Sequence, residues 1–220
     1  VSRAHFAFVL ALVGCGGSFQ SARTLAACKT QVTADVSAFH GSGLSDVRPP
    51  ETRGWNVLGD LMVRHGIIDG LDAGVRIGRT PGSQTYGDTG SQLFVDLKKR
   101  LTAAASTTTI SIDVPVGVLW SERRETFNDG TLALVPTLLV GHDINATTEL
   151  IIAPKFLWLH RAANNDGYPI DSTIGGGVSL GIRFSDDRRA WAIQPELSVL
   201  KLEGTDGALI TFGLGVAAGN

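Results

Sequence analysis

Thr109-Ile110-Ser111-Ile112-Asp113-Val114-Pro115-Val116-Gly117-Val118-Leu119-Trp120 reads as one strand with two unlike faces. The even positions hold Ile110, Ile112, Val114, Val116, Val118 and Trp120, and the odd ones Thr109, Ser111, Asp113, Pro115, Gly117 and Leu119. Successive side chains of a strand point to opposite faces, so one face is continuously apolar and the other mostly polar or small. The split recurs where Leu71, Ala73, Val75 and Ile77 oppose Asp72, Gly74, Arg76 and Gly78. It returns where Ile174, Val178, Leu180, Ile182 and Phe184 oppose Gly175, Gly177, Ser179, Gly181 and Arg183. Beyond Cys28 a period of two, not 3.6, dominates the chain.

Extended along the sequence, the pattern predicts about ten strands, near 28–40, 55–66, 70–79, 90–102, 107–121, 130–142, 148–161, 172–185, 189–202 and 207–218. Most reach the roughly 9–11 residues that a tilted strand needs to cross a bilayer, against about 5–6 in soluble sheets. The segments 41–54, 80–89, 122–129 and 162–171 read as long loops, and 67–69, 103–106, 143–147 and 186–188 as short turns. Long external loops alternating with short periplasmic turns are the layout of outer-membrane barrels. The expected fold is therefore all-β: a closed antiparallel up-and-down transmembrane β-barrel. A strand in lipid has no water for its backbone, and only closure satisfies every amide and carbonyl.

Parity sorts the charges. Opposite the apolar face lie Asp35, Asp60, Arg64, Asp72, Arg76, Asp96, Lys98, Arg100, Asp113, Glu149, Lys155, Arg183 and Glu196. These form the expected lumen network, mutually paired and filling a narrow barrel, with glycines at 74, 78, 117, 175, 177, 181, 213 and 215 making room. A Lys or Arg on the lipid face near mid-membrane costs about 2–4 kcal/mol, so register is tightly specified. Trp55, Trp120, Trp158 and Trp191 suit an interfacial aromatic belt. Pro115, Pro136, Pro154 and Pro195 fall inside predicted strands, where each removes a ladder donor; bulges or kinks are expected there.

Composition agrees. Charged residues are 18% of the chain, against a usual quarter, and 27 of 220 residues are glycine. With 19 basic and 21 acidic residues the net charge is −2, which leaves no footprint for nucleic acid. Two cysteines, at 15 and 28, form neither a disulfide framework nor a four-thiolate metal site.

At the start of the sequence, Arg3 and His5 precede the apolar run Phe6 to Val13, too short for a membrane helix and the right size for an export signal. The run ends in Leu12-Val13-Gly14-Cys15, which resembles the bacterial lipobox. The resemblance implies a bacterial outer-membrane β-barrel lipoprotein: a signal peptide over 1–14, a lipidated tether over 15–27 with Cys15 as the acylated residue, and the barrel over 28–220. Ser18 to Leu25 look like the short tether of barrel-shaped outer-membrane lipoproteins. The alternative is an ordinary export signal cleaved near Ala26-Ala27, without acyl chains.

No catalytic or metal motif occurs in a fitting context, and no cofactor is expected. Gly177-Val178-Ser179-Leu180-Gly181 matches Gly-x-Ser-x-Gly but lies within a strand, where no strand-to-helix elbow exposes the hydroxyl. In strand number the chain resembles omptin proteases, and lipid A deacylases and phospholipases also work on such barrels with Ser and His near the bilayer edge. The outer-rim candidates for such chemistry are His40, Asp46, His160 and Asp166, with Ser42 and Ser45 near them. Glu122-Arg123-Arg124-Glu125 is a rim cluster able to meet lipopolysaccharide phosphates or to neutralise itself. The leading expectation is a non-enzymatic structural or small-solute-transport barrel in the bacterial outer membrane, with outer-membrane lipids and lipopolysaccharide as its partners. Two readings stand beside it: a soluble lipocalin-like periplasmic carrier of an apolar ligand, with the polarity reversed, and an outer-membrane hydrolase.

Overall fold

The computed structural model describes residues 17–42, 55–80, 89–123, 126–161, 172–186, 190–204 and 207–219. The predicted signal peptide and Cys15, Ser45, Asp46, Arg124, Glu125 and Asp166 lie outside the described residues, as do the side chains of Ser42, Glu122 and Arg123. Twelve strand segments follow in order: β1 (Thr30–Ser42), β2 (Asn56–Ile68), β3 (Leu71–Thr80), β4 (Thr89–Arg100), β5 (Thr108–Asp113), β6 (Val116–Arg123), β7 (Thr126–Leu134), β8 (Thr137–Asp143), β9 (Thr148–Arg161), β10 (Ser172–Ser185), β11 (Trp191–Leu202) and β12 (Ala208–Gly219). Segments β5 and β6 are halves of one stave, as are β7 and β8. The result is a closed antiparallel barrel of ten staves, in which β12 returns to pair with β1.

The prolines break strands without shifting them, contrary to the expected bulges. Across Pro115, β4 pairs Lys98 with Asp113 on one side and Val95 with Val116 on the other, which is one uninterrupted register. Pro136 is bridged the same way by the Leu134–Trp158 and Thr137–Lys155 pairs. Each ring removes one donor, but its carbonyl still accepts, from Val135 N at 2.9 Å and from Phe156 N at 3.0 Å. Pro154 and Pro195 sit within a continuous ladder on one side, and on the other the pairing skips the proline and resumes in the same register. The register shifts lie instead at Gly66/Ile68 and Leu119/Ser121. The predicted loop 122–129 is also largely strand: Arg123 pairs with Thr126, leaving a two-residue connection. Above a membrane a hairpin needs no apolar face, so alternation fades while pairing continues.

The wall is polar inside and apolar outside. Val36, Val95, Leu97, Phe212 and Val216 are each about half exposed on the outer face, with dozens of aliphatic neighbours on the same parity. Soluble monomers rarely show contiguous apolar patches beyond a few hundred Å². This surface encircles the molecule, and its solvent is hydrocarbon. That polarity contradicts the lipocalin-like carrier, which needs its charges outside.

The lumen has two layers. Toward the rim that bears His40 and Trp55, inward-facing Phe39, Leu58, Phe94, Leu119, Leu157 and Leu200 pack into an apolar cluster with Leu159, Leu202 and Leu209. Toward the short-turn rim the lumen is ionic, and residues 17–25 lie inside it, with Ala26 and Ala27 exposed at the rim.

Candidate functional site

The ionic layer holds a bent, non-helical piece of the chain's own N-terminal region, with Phe19 at a φ of 35°. Glu196, from β11, takes hydrogen bonds from Ser18 N at 2.7 Å, Ser18 Oγ at 2.8 Å and Phe19 N at 2.9 Å. Glu149, at the start of β9, accepts from Ser21 Oγ at 2.6 Å and Ala22 N at 3.1 Å. Asp72 of β3 accepts from Leu25 N at 3.0 Å, and Asp69 from Ala27 N at 3.3 Å. On the carbonyl side, Arg76 donates to Gly17 O at 2.9 Å and Ser18 O at 3.1 Å, while Lys98 Nζ donates to Ser21 O at 3.2 Å and Arg23 O at 2.8 Å. Ser111 Oγ donates to Ala22 O.

Side chains of the segment are held as well. The Phe19 ring is buried against Gly213 and Gly215 of β12, where a Cβ would lie 2.5 Å and 3.0 Å from ring atoms. Ala22 fills a gap beside Leu139, Ile151 and Ala153. Gln20 donates to Asp113 at 2.6 Å, and Arg23 pairs with Asp143 at the rim.

Of the thirteen charges placed inside by parity, some pair with one another. Arg64 meets Asp96 at 2.5 Å and Asp113 at 3.6 Å, and Lys98 meets Asp72 at 3.3 Å. Asp35 and Asp60 face each other across β1 and β2, with Gln92 donating to Asp60 at 2.5 Å. Arg183 donates to Gln194, which donates to Glu196. Arg100 lies beside Gly70 at the short-turn rim. Lys155 lines a cavity of about 40 Å³ between the segment and the apolar layer. Glu149, Glu196 and Arg76 differ from the sequence expectation in serving the segment, whereas Lys98 and Asp72 serve it and also pair with each other. Sequence reasoning missed Ser18, Phe19, Gln20 and Asp143, since residues 15–27 read as an external tether. The available signal was the pair of inward glycines at 213 and 215, read from the sequence as room for the charge network and found instead to form the recess under Phe19.

All four predicted interface tryptophans carry outward parity. Trp55, Trp120 and Trp158 stand toward the long-loop side and Trp191 at the opposite rim. The outer rim also brings His160 Nδ1 within 2.8 Å of Ser172 Oγ, with the Trp158 ring stacked on the imidazole. The same contact recurs at the opposite rim as Thr30–His65 and Thr108–His142, each 2.9 Å and each through Nδ1. A contact repeated at three strand ends is a cross-strand pairing habit. His40 packs on Trp55 instead.

No protein-family model and no curated protein matches this chain. Solved structures do. The translocator domain of the autotransporter NalP from Neisseria meningitidis aligns over 99% of this chain and 98% of its own, with a TM-score of 0.54 at 9% identity. The fold is that of the bacterial outer-membrane β-barrel. A second such barrel, an outer membrane channel from Pseudomonas putida F1, aligns over 90% of this chain and 97% of its own, with a TM-score of 0.53 at 8% identity. The outer membrane protease OmpT from Escherichia coli scores 0.47 at 7% identity, covering 90% and 98%, too low to bear on this barrel's chemistry.

Proposed function

We propose that this barrel is a non-enzymatic structural or small-solute-transport protein of the bacterial outer membrane, closed in its resting state by two barriers in series. The carrying observation is the filled lumen: residues 17–25 occupy its ionic half, and inward leucines with Phe39 and Phe94 its apolar half. The cavity between them is about 40 Å³, room for a water or two, and a wider, more open recess of about 520 Å³ lies beside Asp35, Asp60, Ser91 and Gln92. An apolar constriction also resists ions by excluding water. Outer-membrane lipids and lipopolysaccharide are the expected neighbours of the apolar outer wall and its tryptophans. Hydrolase chemistry gains nothing from the Ser172–His160 contact, which the opposite rim repeats.

The lipid anchor at Cys15 belongs to the same proposal and constrains it. Only Gly16 separates Cys15 from Gly17, whose carbonyl Arg76 holds inside the lumen. Two peptide units reach about 7 Å, too little to carry acyl chains out of the barrel into a leaflet. Anchoring through Cys15 and docking of Gly17 inside the lumen therefore compete, and the double closure is the resting state of the unacylated chain. Single-channel recording in planar bilayers tests the closure: the unacylated chain gives no ohmic steps, and steady steps would overturn the reading. Intact mass tests the anchor: Cys15→Ala is expected to abolish the acyl increment, and an unchanged mass would overturn the anchor.

A further inference from the structure

A segment lying in a barrel cannot join the wall's ladder, because the wall's own amides and carbonyls are already paired with neighbouring strands. Its main chain must find side chains. Around residues 17–27 those side chains are sorted by charge: carboxylates of Glu196, Glu149, Asp72 and Asp69 take the amides of residues 18, 19, 22, 25 and 27. Arg76, Lys98 and Ser111 take the carbonyls of residues 17, 18, 21, 22 and 23. Fewer contacts read side chains, and these come from small or uncharged groups apart from Arg23 at the rim. Filling space would need only apolar bulk, as the outer half of the same lumen shows.

We infer that the ionic half of the lumen is a receptor for non-helical polypeptide read through its main chain, with residues 17–25 as its resident occupant and Ala26–Ala27 leaving at the rim. The ligand class is an unfolded segment with small side chains and one aromatic ring set for the recess at Gly213 and Gly215. A peptide supplied in trans competes with the resident segment, which acts at an effective concentration on the order of millimolar. The inference rests on the resident segment seen in the closed barrel, and its test separates the two.

The full chain is refolded in detergent micelles, unacylated, with Cys15 and Cys28 replaced by serine and Ser21→Cys as reporter. Phe19→Asp with Ala22→Arg expels the segment, since neither new side chain fits its recess. The probe is a fluorescent synthetic peptide of residues 17–27, followed by anisotropy. The expelled variant, with its barrel intact by heat-modifiable gel migration and its reporter thiol open to maleimide, is expected to bind the peptide at least about tenfold more tightly than the parent. Backbone N-methylation at the peptide's Phe19 and Ala22 positions, which removes two donors to carboxylates, is expected to weaken binding by about tenfold or more. Failure of the folded, expelled barrel to bind, or equal binding of the N-methylated peptide, overturns the inference. Free labelling of the reporter thiol in the parent would instead overturn the closed resting state, whatever the peptide does.

Discussion

Ser18 and Glu196 stand 178 residues apart and are joined twice, amide to Oε1 at 2.7 Å and hydroxyl to Oε2 at 2.8 Å. With Phe19 N on the same carboxylate, one buried Glu holds three donors of a segment that belongs to no strand. Hydrogen bonds to a charged group contribute about 1.5–3 kcal/mol each. Glu196→Ala should therefore raise the rate at which a maleimide labels a cysteine introduced at position 21 by at least about tenfold. The barrel itself, measured by urea unfolding in lipid, should lose far less.

The recess under Phe19 gives a steric prediction. A methyl at 213 would lie 2.5 Å from the ring, with Ser37 and the Val36 carbonyl closing the other sides. Gly213→Ala should destabilise segment docking by about 1–3 kcal/mol, the usual cost of overpacking. Phe19→Ala should remove most of that sensitivity. A double-mutant cycle on the labelling rate measures the coupling, and additive effects would show that the ring does not sit there.

Two closures in series predict non-additive conductance. Glu149→Gln with Glu196→Gln loosens only the ionic half, and Leu119→Ser with Leu157→Ser wets only the apolar half. Each pair alone should stay silent in planar bilayers, and the four together should give ohmic steps. Steps from either pair alone would show a single gate.

The outer wall predicts a depth-dependent cost of charge. Val95 is 55% exposed on the lipid-facing parity near the middle of β4, whereas its neighbour Asp96 is buried in the lumen. Val95→Arg should cost about 2–4 kcal/mol in urea unfolding from lipid vesicles. Little change there would place that face against water.

Alternation alone reached the wall. Ile110 to Trp120 announces one apolar face, and the same parity rule placed Asp72, Arg76 and Arg183 on the other, because a pleated strand in hydrocarbon has no third option. The apolar layer of the lumen was less legible. Leu119 and Leu157 sit on the inward parity among outward neighbours, and the unbroken run Phe156-Leu157-Trp158-Leu159, which marks burial on both faces, was the clue. Pro115 and Pro136 misled because a propensity rule names the lost donor and not the neighbours that hold the register on either side.

Local pattern settled which residues form strands and which way they point, since both depend on side chains two positions apart. Where residues 17–27 go was decided only by closure of the barrel. That segment has no alternation to read, and its partners, Glu196, Glu149, Asp72, Arg76 and Lys98, come from four different strands. Those charges line one path only after β12 has met β1.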